Sequence, residues 1–177
     1  MKSSITRLAT LALLFALFTN CDSSRQTLKQ QLADKELTTF YLVRHAEKDY
    51  GDNPNLTKEG LARAERLKEM LKNIDLAAVY STNTKRTLQT ARPTADDHGL
   101  EIIQYNASPM EELSGKLRRQ YKGRKVLIVG HSNTTPKMTN YLIQEQRFPR
   151  FSELDYTNFF IVNLPRVGAA DVQELRF

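Results

Sequence analysis

The run Thr39-Phe40-Tyr41-Leu42-Val43 passes without a spacer into Arg44-His45-Ala46-Glu47-Lys48, and this junction constrains the fold more than any other stretch of the chain. Apolar, β-branched and aromatic residues over the length of a buried strand predict β-structure, and the abrupt change to Arg, His, Glu and Lys predicts that the strand delivers charge to one edge of a sheet. A second stretch repeats the arrangement, with Lys125-Val126-Leu127-Ile128-Val129-Gly130 running into His131-Ser132-Asn133. Ligands of open α/β sheets bind in the crevice beyond the carboxyl ends of the strands. Arg44, His45 and His131 are therefore candidates for chemistry, provided that the two strand ends meet.

The amino terminus reads differently. Lys2 and Arg7 precede an apolar run from Leu8 to Phe18, with no acidic residue before Asp22, which is the pattern of a secretory signal and too short for a stable membrane-spanning helix. Residues 1–20 are set aside from the fold on that ground. Cys21 is the single cysteine, so an exported chain has no internal disulfide and this thiol is either free or modified. Phe18-Thr19-Asn20-Cys21 resembles a bacterial lipobox, although Phe18 and Asn20 depart from its usual residues. That resemblance implies a lipidated Cys21 and anchorage in the bacterial envelope; the alternative is ordinary cleavage, with a periplasmic or secreted product. Residues 21–36 are polar and Gln/Lys-rich, which suits a tether, and residues 37–177 form the domain.

With 177 residues and 40% hydrophobic content, the chain can bury one sizeable core. Removal of Lys2 and Arg7 takes 26 basic residues to 24 against 20 acidic ones, a net charge of +4. A mildly basic surface is compatible with an anionic small substrate. No aromatic-interleaved basic stripe or nucleic-acid motif is present, so nucleic acid is not an expected partner.

Beyond the first strand, Asp49 to Asn55 carries Gly, Pro, Asp and Asn and reads as a loop. Thr57 is placed to cap a helix whose apolar face is Leu61, Ala64, Leu67 and Leu71. Leu76 to Tyr80 reads as a strand ending at Ser81-Thr82-Asn83, and a helix starting near Ser81 or Thr82 carries Arg86 in its first turns, where unpaired N–H groups favour anions. An interruption is expected at Pro93, His98 is expected at the surface, and Leu100 to Tyr105 is expected as a strand. Ser108-Pro109-Met110-Glu111 matches a capping box for a helix to about Tyr121. A further helix follows His131-Ser132-Asn133, with Pro136 near its start, and the tail reads as two strands about Pro165 to Gly168. Strands alternating with helices predict a three-layer α/β/α sandwich with a mostly parallel central sheet.

Taken together, Leu42-Val43-Arg44-His45-Ala46-Glu47-Lys48, Ser81-x-x-x-Lys85-Arg86-Thr87-x-Gln89-Thr90 and Val129-Gly130-His131-Ser132-Asn133-Thr134 resemble, in order, the signature of the histidine phosphatase superfamily, also called phosphoglycerate mutase-like. The resemblance extends over roughly Leu37 to Phe177. It implies that His45 is a nucleophile forming a phosphohistidine, that Arg44 and Arg86 clamp the phosphate, that His131 donates to the phosphoryl oxygens, and that water hydrolyses the intermediate without a metal or other cofactor. The chemistry of the residues agrees, because guanidinium groups grip phosphoryl oxygens bidentately and nearby positive charge holds an imidazole neutral. Singly, each residue has a plainer reading: Arg44 paired with Glu47, Arg86 on a solvated helix face, His131 capping a helix. Two imidazoles and a carboxylate also suit zinc or iron.

The proton donor to the leaving group is less defined. Acid-phosphatase-like members carry an Asp just after the second His, where this chain has Ser132, and mutase-like members use a Glu after the second Arg. Glu47 and Glu112 are the candidates, with Glu111 assigned to the capping box. Mutases add long segments over the site, whereas the loops here are short. The reading is thus a metal-independent phosphomonoesterase acting on a small phosphorylated substrate outside the cytoplasm. The alternatives are a phosphohistidine protein phosphatase and a non-catalytic anion-binding lipoprotein. Residues 49–55, 106–110 and 148–156 are expected to line the entrance, and their content fits sugar phosphates, nucleotides or phosphopeptides alike.

Overall fold

The computed structural model describes residues 37–177, and the readings of residues 1–20 as a signal, of Cys21 as a lipidation site and of 21–36 as a tether lie outside the described residues. Six strands form one sheet: β1 (Thr38–Arg44), β2 (Leu76–Thr82), β3 (Ile102–Tyr105), β4 (Lys125–Gly130), β5 (Asn158–Leu164) and β6 (Asp171–Arg176). Their spatial order is β3-β2-β4-β1-β5-β6. The pairs β3/β2, β2/β4 and β4/β1 are parallel, and β5 and β6 add antiparallel at the β1 edge.

Helices cover both faces, which is why β1 carries no polar alternation. Phe40 and Leu42 point to one side with Val126 and Ile128, under α3 (Met110–Gln120) and α4 (Thr134–Ile143) through Leu117, Met138 and Leu142. Tyr41 and Val43 point to the other side with Leu127 and Val129, under α1 (Lys58–Leu71) and α2 (Lys85–Asp97) through Leu67, Leu71, Ala91 and Ala95. Each fully buried side chain of this size contributes about 1.5–3 kcal/mol. The result is the expected three-layer α/β/α sandwich.

Several local expectations need correction. The buried face of α1 is Gly60, Ala64, Leu67 and Leu71, with Leu61 half exposed. A β-carbon on Gly60 would stand 2.1 Å from the Glu47 carbonyl oxygen, so only glycine lets the helix approach the loop after β1. Thr57 caps as expected, accepting from the Gly60 N–H at 3.2 Å. Helix α2 begins after Thr84 and continues through Pro93, since Thr90, Ala91, Thr94 and Ala95 pack it against the sheet and outweigh the lost backbone bond. His98 is not a surface residue: Nδ1 lies 2.9 Å from the Thr94 carbonyl and Nε2 2.9 Å from that of Ile74, tying the end of α2 to the loop before β2. The capping box fails as well. Asn106 Oδ1 takes the Ser108 N–H in a local turn, and α3 starts at Met110 with Pro109 as its cap and no side-chain cap bond.

Candidate active site

Parallel pairing of β1 with β4 brings the two charged junctions together. Arg44 lies opposite Gly130, and the His45 N–H donates to the Gly130 carbonyl at 2.9 Å, one step beyond the ladder. His45 and His131 follow at the same level, with ring centroids 5.4 Å apart and edges meeting. Side chains on Gly130 would strike Thr134 Oγ1, Thr135 Oγ1 and the Tyr105 hydroxyl, so the strand can turn into α4 here only as glycine. Thr134 Oγ1 then accepts the His131 N–H at 2.7 Å.

His45 is 3% exposed, and its Nδ1 lies 2.8 Å from the Ala46 carbonyl oxygen. A carbonyl only accepts, so Nδ1 carries the proton and the Nε2 lone pair is left for chemistry. Burial, followed by the positive charge of Arg44 and the neighbouring His131 and Arg86, lowers its pKa to about 3, against a raising contribution from the Ala46 bond. The ring is thus neutral at physiological pH. Helix α2 holds the loop that carries it. Thr90 Oγ1 accepts the Ala46 N–H at 2.9 Å and donates to the Arg86 carbonyl, while Gln89 Oε1 accepts the Leu56 N–H. Those bonds explain why Gln89 and Thr90 accompany Arg86 in the motif.

His131 has the opposite tautomer. Arg86 Nη2 approaches Nδ1 at 3.4 Å, and a guanidinium only donates, so the proton sits on Nε2 and goes to Thr82 Oγ1 at 2.8 Å. Its pKa falls to about 4, through burial first and then Arg86 and Arg44. The single N–H of the resting His131 is therefore turned to Thr82, which passes a hydrogen bond on to Thr87.

Arg44 departs from a simple clamp. It is 1% exposed; Nη1 reaches the carbonyl oxygens of Ser152, Glu153 and Asp155, and Nη2 pairs with Glu153 Oε2 at 2.8 Å. The guanidinium also lies over the Tyr156 ring, which in turn faces His45 at 5.9 Å. Arg44 Nε remains buried without a partner among the described residues, as does Arg86 Nε. These two orphan donors, on arginines whose charge reaches both imidazoles, are the features that suit an anion. The Glu153 carboxylate also accepts from Ser132 Oγ at 2.7 Å and pairs with Arg150. Its pKa drops to about 2 through the Ser132 and Arg150 bonds, with Arg44 adding to them, so it is ionised at neutral pH.

Neither expected acid stands at the histidines. The Glu47 carboxylate is gripped by Arg63 through Nε at 3.0 Å and Nη2 at 2.6 Å, and the lowered pKa that results is the reverse of what a proton donor needs. Glu112 is exposed on α3 and, with Lys116, lines a cavity that includes neither histidine. Sequence reasoning missed Thr82, Ser132, Glu153 and Tyr156. Glu153 and Tyr156 were signalled only by the expectation that residues 148–156 line the entrance, and Thr82 and Ser132 only by their places at the ends of the two strands. Phe151 and Phe148 pin that loop on Phe160, and the Phe151 N–H donates to the Ser132 carbonyl. Among the described residues, no three His, Cys, Asp or Glu side chains gather as metal ligands.

Residues 40–108 match the family model of the histidine phosphatase superfamily (branch 1). A 2,3-bisphosphoglycerate-dependent phosphoglycerate mutase of Thermoplasma acidophilum is 34% identical over 71 residues, which are 35% of this chain and 36% of that protein. The match thus spans little more than a third of that relative. Among solved structures, a mycobacterial glucosyl-3-phosphoglycerate phosphatase superposes with a TM-score of 0.62 at 13% identity, covering 80% of this chain and 98% of the other. The phosphoserine phosphatase of Entamoeba histolytica, in complex with 3-phosphoglyceric acid, gives 0.62 at 16% identity over 79% and 97%. At these identities the likeness is one of fold.

Proposed function

We propose that the chain, whose residues 40–108 match the histidine phosphatase superfamily model, is a member of that superfamily and a phosphomonoesterase working through a phosphohistidine on His45. The observation that carries this reading is the His45 imidazole. It is neutral, its proton is fixed on Nδ1 by the Ala46 carbonyl, and its ring lies within the electrostatic reach of two guanidinium groups, with Nε2 left for chemistry. A binder of anions has use for Arg44 and Arg86 but none for a neutral imidazole so oriented.

The phosphoryl group is received by Arg86 and by the unpartnered Nε of Arg44. Its negative charge offsets the burial and the guanidinium charge that together keep His131 neutral, so in the complex His131 takes up a second proton from solvent, with Nε2–H on Thr82 and Nδ1–H on the substrate oxygens. His45 Nε2 attacks phosphorus, the ester P–O bond breaks, and the departing oxygen takes the Nδ1 proton of His131. Water then attacks the phosphohistidine. Its proton goes to His131 and the P–N bond breaks; as phosphate leaves, His131 gives its extra proton back to solvent, which restores both neutral imidazoles. Short connections around the site favour water over return of the phosphoryl group, and so favour hydrolysis over mutase chemistry.

Turnover of an aryl phosphate by the full chain, with and without EDTA and beside His45→Ala, tests this. Activity that survives EDTA, falls at least about a thousandfold in the variant and leaves an acid-labile phosphoenzyme in rapid quench is the expected result. A folded wild type without turnover would favour the anion-binding alternative, and EDTA-sensitive turnover would favour metal hydrolysis. We further propose export and anchorage through Cys21, on the basic-then-apolar leader and the lipobox-like Cys. Cys21→Ser is expected to move the protein from the membrane pellet to the soluble fraction, and an unchanged distribution would count against the anchor.

A further inference from the structure

Beside His131, beyond the carboxyl ends of β2 and β3, lies a cavity of about 470 Å³, within the usual range for small-ligand sites. Thr82, Asn83, Gln104, Tyr105, Asn106 and His131 line it. The register Thr82↔Tyr105 at the last β2/β3 pair sets its floor, so it is the natural space for the part of a substrate that departs from a phosphoryl group held at His45.

The chemistry of this wall is distinctive. His131 and Tyr105 are the titratable side chains of this wall; burial holds the His131 ring neutral and pushes the Tyr105 hydroxyl up, so that it stays protonated. Neither guanidinium nor ammonium belongs to the wall. Three carboxamides do. The Asn83 and Gln104 amides are exposed and form no side-chain hydrogen bond among the described residues, and Asn106 uses Oδ1 for the Ser108 N–H, leaving its NH2 to donate. A carboxamide offers donors and acceptors at once, which matches a hydroxyl that is itself both. A carboxylate, by contrast, needs a cation or several N–H donors to leave water. Lys116 lines an adjoining cavity of about 280 Å³ that shares Gln104, Tyr105 and Asn106, but Glu112 stands there too, one helical turn away on α3, and balances its charge.

We propose that this cavity selects an uncharged, polyhydroxylated leaving group, making the substrate the phosphomonoester of a sugar-like alcohol rather than of a carboxylate-bearing one. The proposal rests on the phosphatase reading above and specifies its substrate class. Asn83, Gln104 and Asn106 are the specificity-determining residues, and the shared chemistry, a polyol, is found both in free sugar phosphates and in the ribose of a nucleotide.

The test measures kcat/KM of the full chain for ribose 5-phosphate, glucose 6-phosphate and a nucleoside 5′-monophosphate against 3-phosphoglycerate and phosphoserine, with p-nitrophenyl phosphate as the common reference. At least one polyol ester is expected to exceed both carboxylate-bearing esters by about tenfold or more. The nucleotide arm separates a free sugar from a nucleoside, and a lead by either supports the proposal. Gln104→Lys, which puts an ammonium on the wall, is expected to shift the ratio of 3-phosphoglycerate to polyol ester upward by at least about threefold. A ratio of polyol to carboxylate ester near one or below it, including turnover of the aryl ester alone, overturns the proposal while leaving the phosphatase reading standing. Absence of turnover for every ester, the aryl reference included, overturns both.

Discussion

Glu153 holds the position of an internal competitor at the residue scale. Its carboxylate takes Arg44 Nη2 and Ser132 Oγ while remaining 58% exposed, so it can leave for solvent at little cost when a phosphate arrives. A pair between a buried guanidinium and so exposed a carboxylate is screened, and such pairs contribute about 0.2–1 kcal/mol. Glu153→Gln keeps a hydrogen-bonding group for Ser132 and removes the charge. We expect the inhibition constant of inorganic phosphate to fall about twofold to fivefold in this variant, the factor that such an energy corresponds to. Steady-state inhibition at low salt measures it, and an unchanged or raised constant would mean that Glu153 does not compete for Arg44. This residue also shows where reading the sequence stops. Arg44, His45 and His131 are legible because strand ends announce them, and Arg86 because it opens the helix after a strand. Glu153 comes from a loop without periodicity, and nothing in its neighbours says that three carbonyl oxygens beside it will close on Arg44.

Elements determine how firmly the nucleophile is held, and the approach of α1 to the loop after β1 is the tightest contact of that kind. The Thr57 N–H donates to the Glu47 carbonyl at 3.0 Å, and Gly60 passes so near the same oxygen that a β-carbon would overlap it. Gly60→Ala must push the helix or the loop aside. Overpacking of this sort costs about 1–3 kcal/mol, and here it outweighs the better helix propensity of alanine, about 1 kcal/mol. Urea unfolding is expected to show a net loss, accompanied by a fall in kcat because Glu47 is two residues from His45. A variant as stable as wild type would show that the contact relaxes freely. The helix itself was legible from Thr57 and from the spacing of Ala64, Leu67 and Leu71. Leu61 misled because helical periodicity ranks residues by hydrophobicity, whereas a close backbone approach selects by size and puts glycine inward. In the same way the alternation of strands and helices revealed the sandwich, but the capping box at Ser108 did not survive, since a local turn with Asn106 engaged the backbone first.

For the whole molecule, the site sets a pH dependence that the fold must bear. His45 and His131 have folded-state pKa values of about 3 and about 4, against about 6.5 for an unperturbed histidine. Between these limits the unfolded chain binds protons that the folded chain refuses, so stability rises with pH through this window and falls as pH is lowered. Above about pH 6.5 both states hold neutral imidazoles and the penalty is absent. From pH 7 to pH 5 each histidine is expected to remove about 1–2 kcal/mol. Carboxylates held low by their partners, among them Glu47, Glu153 and Asp155, act later: their stabilisation is present above the ordinary carboxylate pKa and is lost only as pH falls below it. The interval from pH 7 to pH 5 thus isolates the imidazoles. Unfolding free energies of wild type and of the pair His45→Asn and His131→Asn, measured at both pH values, test the argument. The wild type is expected to lose about 2–4 kcal/mol more than the double variant over this interval, and each single variant to recover about half of the difference. Equal losses in all four proteins would mean that the imidazoles are already protonated in the folded state near pH 6.5, and a His45 charged there has no lone pair with which to attack phosphorus.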